Sequence, residues 1–67
     1  MTRLYRVMYR RNFTNDQAMA VAVPSDVADG WLKWFQSDEA IADYDWTRVW
    51  IETESGELVH EIRRKNV

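Results

Sequence analysis

Residues able to do chemistry are sparse in this chain, and none is spaced as an active site. His60 is the only histidine among 67 residues and there is no cysteine. That removes a thiol nucleophile, a disulfide framework and the cysteine–histidine sets that hold zinc. Carboxylates come in pairs at Asp38-Glu39 and at Asp43-Tyr44-Asp45. Short acidic loops of that kind hold a cation weakly, and the dedicated loop of a calcium site is missing. Ser25, Ser37 and Ser55 fall where helix caps and a turn need hydroxyls. Gly30 and Gly56 are too far apart to make a phosphate-cradling loop. His60 falls beside Ile51 near one end of a predicted sheet, and is expected there as a partly buried packing residue rather than a general base. The expectation is a protein that is not an enzyme, with no cofactor, no metal and no small-molecule substrate.

Arginines and tryptophans at a spacing of two carry more content. Arg6, Met8 and Arg10 alternate along one segment, and Trp46, Arg48 and Trp50 along another. Trp and Arg are enriched at binding hot spots, and an apolar patch rimmed by charge marks an interaction surface. These six residues are the expected partner-binding set. The expected partner is protein, and the simplest case is a homodimer, since two-fold closure is the commonest oligomer. Arginine beside flat aromatics also suits stacking of unpaired bases, so single-stranded nucleic-acid binding on the same face is the alternative. The net charge of −2 counts against it, as does the lack of any RNP-like, KH or helix-turn-helix pattern.

Charge is unevenly placed. Arg3, Arg6, Arg10 and Arg11 crowd one end and Arg63, Arg64 and Lys65 the other. Between them Asp26, Asp29, Asp38, Glu39, Asp43 and Asp45 face Lys33 alone. This gives a second alternative, an acidic decoy or inhibitor of a nucleic-acid-binding protein, which resembles small viral inhibitors in size and charge only. The plainer account of the same residues is a solvated helix face.

The elements that must position these residues follow from periodicity. Residues 3–11 alternate, with Tyr5, Val7 and Tyr9 on one side and Leu4, Arg6, Met8 and Arg10 on the other. Asn12 to Asp16 read as a loop. Residues 17–23 alternate again, Met19, Val21 and Val23 against Ala18, Ala20 and Ala22. Setting Tyr9 opposite Met19, Val7 opposite Val21 and Tyr5 opposite Val23 gathers the large apolar side chains on one face. Pro24 ends the strand, and Ser25 is the expected cap of an amphipathic helix with Asp26 and Asp29 in its first turn. Its apolar arc, from Trp34 through Val27, Trp31, Phe35 and Ala28 to Leu32, spans about 160°. Ser37 reads as a second cap, with residues 38–44 a further turn that buries Ile41 and Tyr44.

Residues 46–53 and 57–64 form a second hairpin around Glu54-Ser55-Gly56-Glu57. Thr53 opposite Leu58 puts Val49, Ile51, Leu58 and Ile62 on the helix side and Trp46, Arg48, Trp50, Glu52, Val59, Glu61 and Arg63 behind. A three-residue loop with a glycine bulge at Gly56 competes, and would turn Trp46 and Trp50 to the side of Leu58 and Ile62. The first register separates apolar from charged residues better and is preferred.

The sequence therefore predicts one domain over residues 1–67, an α+β fold in β-β-α-β-β order: a four-stranded antiparallel sheet with one helix packed on it. No apolar run approaches the roughly 20 residues that cross a membrane, and the first residues lack the apolar block of a signal peptide. A cytoplasmic protein is expected. The predicted function is a small non-enzymatic protein-interaction module that self-associates through the sheet face opposite the helix.

Overall fold

A computed structural model describes residues 3–11 and 15–64 of the chain. Strand β1 (Tyr5–Arg11) pairs with β2 (Gln17–Val23), helices α1 (Ser25–Phe35) and α2 (Asp38–Tyr44) follow, and β3 (Trp46–Thr53) pairs with β4 (Leu58–Arg63). The fold is α+β, a four-stranded antiparallel sheet in the order β2-β1-β3-β4 with two helices where the sequence predicts one and a further turn. The loop expected from residue 12 lies, over residues 12–14, outside the described residues.

The two hairpins join through their first strands, so β1 and β3 are central. Val7 pairs with Ile51 and Tyr9 with Val49, all four buried on the helix side. Ala28, Leu32 and Phe35 of α1 and Ala40 of α2 close over them. Phe35 is the hub. Its ring lies within 5.1–6.4 Å of the rings of Tyr9, Trp31, Trp34, Tyr44 and Trp46. Buried aromatics matter in a fold this small, since each buries on the order of 150–250 Å².

Cap assignments divide. Ser37 caps α2 as its sequence predicts, its hydroxyl oxygen accepting from the Ala40 N–H at 3.3 Å. At α1 the cap falls one residue earlier than Ser25. Pro24 holds the position in extended backbone and its carbonyl accepts from the Ala28 N–H at 3.0 Å. The strand-ending proline thus opens the helix directly.

Register departs from simple alternation at bulges, and these decide which way several side chains face. Tyr5 opposes Val23 as predicted, but Val7 opposes Ala20 and Tyr9 opposes Gln17. Val21 and Ala22 both stand against Arg6, with Ala22 in the left-handed region at φ 55°. Val21 is consequently 59% exposed, and Ala20 packs on the core in its stead.

The second hairpin resolves in an unexpected way. Gly56, at φ 94°, closes the three-residue loop: the Gly56 N–H donates to the Thr53 carbonyl and the Thr53 N–H to the Glu57 carbonyl, each at 2.9 Å. This is the glycine-bulged loop that the preferred register does not use. Further along, a bulge between Ile51 and Glu52 restores the offset, so that Val49 opposes Ile62 and Ile51 opposes His60 as predicted. The extra residue is Val59, which joins Ala28 and Asp29 of α1 around a recess on the helix side. Leu58, expected there, instead opposes Glu52 and is 56% exposed.

Candidate interaction surfaces

The sheet face away from the helices assembles five of the six predicted contact residues. Cross-strand pairs Arg6–Glu52, Met8–Trp50 and Arg10–Arg48 lie along it, continued by Ala18 opposite Met8 and Glu61 opposite Trp50. Trp46 is not there. A bulge between Arg10 and Arg11 makes Arg11, rather than a residue beyond it, the partner of Trp46. That slip turns the indole to the helix side, where it is 3% exposed and its Nε1–H donates to the Phe35 carbonyl at 2.8 Å. The placement of Trp46 behind the sheet is therefore corrected. Ala20 and Val59 leave that face through separate bulges, in the β1–β2 and β3–β4 pairings.

Trp50 does lie on the far face, yet it is only 5% exposed. Arg48 covers it, its guanidinium carbon 4.2 Å from the indole centroid, and Arg48 is itself held by Glu61. Glu61 accepts from Arg63 as well, at 2.9 Å. Arg6 meets Glu52 at 3.4 Å and Arg10 meets Asp16 at 2.6 Å. The face is thus an apolar centre roofed by the chain's own ion pairs. Each arginine proposed to meet a partner already meets a carboxylate, which cancels much of the field that would attract phosphate. Arg6 retains one unmet demand, since its buried Nε has no acceptor among the described residues.

Burial, the largest single influence on Glu61, pushes its carboxyl up. Hydrogen bonds and charge from Arg48 and Arg63 together outweigh it, so Glu61 titrates below its ordinary 4.5. A group depressed in the folded state adds stability that is present above its unfolded value and lost as pH falls through the folded one. Glu61→Gln is expected to be less stable than the parent at neutral pH, the gap closing as pH falls below 4.5. Urea unfolding at a series of pH values checks this, and a gap unchanged into strong acid would contradict it.

The edge strands differ. β4 carries Glu61 and Arg63, whereas β2, Gln17 to Val23, carries no charged residue and no proline. Charge, proline and bulges are the usual means of blunting an open edge. β2 has only bulges. The signal is present in the sequence as seven consecutive uncharged residues, but alternation specifies a strand's faces and not whether it lies at an edge.

Other predicted chemistry stays dispersed. His60 is exposed rather than packed, and lines an open recess with Asp29, Leu32, Lys33 and Gln36. Among the described residues no three His, Cys, Asp or Glu side chains gather as a cation site, and no helix is long and apolar enough to cross a membrane. No family model, curated protein or solved structure matches the chain.

Proposed function

We propose that this chain is a non-enzymatic, cytoplasmic protein-interaction module that self-associates, with contact centred on the open edge of β2 and on Arg6, Met8 and Arg10 beside it. The observation that carries the reading is the uncharged edge strand with Val21 59% exposed. Every other strand bears charge. A second copy presenting the same edge supplies antiparallel hydrogen-bonding partners and covers Val21, and a two-fold axis makes the contact self-complementary. Arg48 and Trp50 lie on the same face, opposite Arg10 and Met8, as the roofed centre that flanks the contact. Single-stranded nucleic acid on the same face gains no support, because the arginines there are paired with Glu52, Asp16 and Glu61.

Light scattering across a concentration series tests the proposal. The parent is expected to pass from monomer to dimer. Val21→Lys is expected to weaken the dimer by about tenfold or more, by placing like charges along the shared edge. Because Val21 is exposed, that change should alter monomer stability by less than about 0.5 kcal/mol. A parent that stays monomeric at all concentrations, or a variant that dimerises as well as the parent, sinks the reading.

A further inference from the structure

The apolar arc of α1 is wider than the sheet can cover. Counting 100° per residue, the buried trio Phe35, Ala28 and Leu32 spans only about 60°. Trp31, Val27 and Trp34 continue the arc past the edge of the core, where Trp31 and Trp34 are half-buried and Val27 is 40% exposed. Together with Gly30 and with Tyr44 of α2 they line an open groove of about 540 Å³. Trp31 and Trp34 meet edge to face, with centroids 5.6 Å apart and planes at 89°. Trp34 and Tyr44 do the same at 5.5 Å and 72°.

Gly30 has no structural explanation. Its backbone is helical rather than left-handed, and a Cβ built on it would meet nothing within 4 Å. Glycine weakens a helix at such a position, and here no close approach within the chain requires it. What it does is leave the groove wall open between Val27 and Trp34.

The surroundings of the groove are anionic. Asp26 follows Gly30 around the helix by about 40°. Asp38, Glu39 and Asp43 lie on α2, and none of these four carboxylates enters an ion pair among the described residues. Lys33, the one cation between Ser25 and Asp45, lines the other recess, and Arg11, whose Nε–H donates to the Tyr44 carbonyl at 2.9 Å, is the cation beside the groove at α2. Stacked bases would bring phosphates into this field and be repelled. A cation is drawn by both the field and the aromatic faces.

We propose that this groove receives an arginine or lysine side chain from a basic segment of a partner protein, held by Trp31, Trp34 and Tyr44 with Gly30 giving it room. The site is separate from the β2 edge and stands or falls independently of self-association.

The test uses the full chain, labelled so that the four indole N–H signals can be followed, titrated with a short peptide of repeated Gly-Ser-Arg and with the same peptide carrying uncharged citrulline for arginine. The arginine peptide is expected to move the Trp31 and Trp34 signals, to leave Trp46 and Trp50 unmoved, and to bind about tenfold tighter than the citrulline peptide. Gly30→Gln lays an uncharged side chain in the groove and should weaken arginine-peptide binding by about the same factor, with Trp46 and Trp50 signals reporting that the fold persists. Equal binding of the two peptides, no movement at Trp31 and Trp34, or undiminished binding by a folded Gly30→Gln would each overturn the proposal. If that variant does not fold, the peptide comparison on the parent chain decides alone.

Discussion

Phe35→Ala is expected to leave the chain largely unfolded. Phe35 is fully buried, and its ring joins both helices to β1 and β3 through Tyr9, Tyr44 and Trp46. Truncating a core phenylalanine costs about 3–5 kcal/mol, because transfer energy is lost and the cavity collapses only in part. A 67-residue domain has a total of roughly 3–10 kcal/mol to lose, taking the usual range per residue. The cost is therefore comparable to the whole stability. Urea unfolding followed by tryptophan fluorescence should show the native baseline shortened or gone. Phe35→Leu keeps more of the volume and should fall between the two. A loss below about 1 kcal/mol for the alanine variant would mean that the aromatic cluster does not hold the helices to the sheet.

Periodicity made the class and order of elements legible, because hydrophobic spacing is a local property and the strands and helix obey it. Tyr5, Val7, Tyr9, Val49, Ile51, Ala28, Leu32 and Phe35 all face the side that their spacing indicates. What spacing could not supply was the bulges. A bulge inserts one residue and so turns every side chain beyond it to the other face, and its position is set by the partner strand and by the turn. Trp46 and Trp50 show the consequence. Four residues apart on one strand, they should share a face, and the slip at Arg10–Arg11 sends one indole to each side of the sheet. Turn length and register are likewise separable here: the loop takes three residues, and the bulge at Val59 keeps the predicted pairing.

The same bulges explain why the candidate site moved. Alternation in the sequence predicts a far face with two tryptophans open to a partner. With Trp46 turned inward and Trp50 beneath Arg48, its apolar area is already covered, and exposed apolar residues collect instead at Val21 on β2 and at Leu58 and Val59 on β4. Only the first of these lies on a strand without charge. Unsatisfied surface has shifted from a face, which the sequence displays as alternation, to an edge and a groove, which depend on strand order and on how far a helix overhangs.

Trp50→Ala separates a core role from a contact role. A tryptophan open to solvent in the monomer would lose less than about 1 kcal/mol of monomer stability on truncation and would mainly loosen association. The structure requires the reverse. Trp50 is 95% shielded by neighbours of its own chain, so removal should cost about 3–5 kcal/mol. Arg48 then loses the ring it lies on, an interaction of about 0.5–2 kcal/mol, and remains with Glu61 over a void. Replacing the indole with alanine therefore removes packing, a cation–π contact and the shielding that strengthens the Arg48–Glu61 pair, three effects that share Arg48 and will not add independently. Unfolding measured at concentrations where the parent is monomeric gives the decisive number. A small loss there, with weakened association, would return Trp50 to the surface and undo the roofed-face account on which the shift to β2 depends.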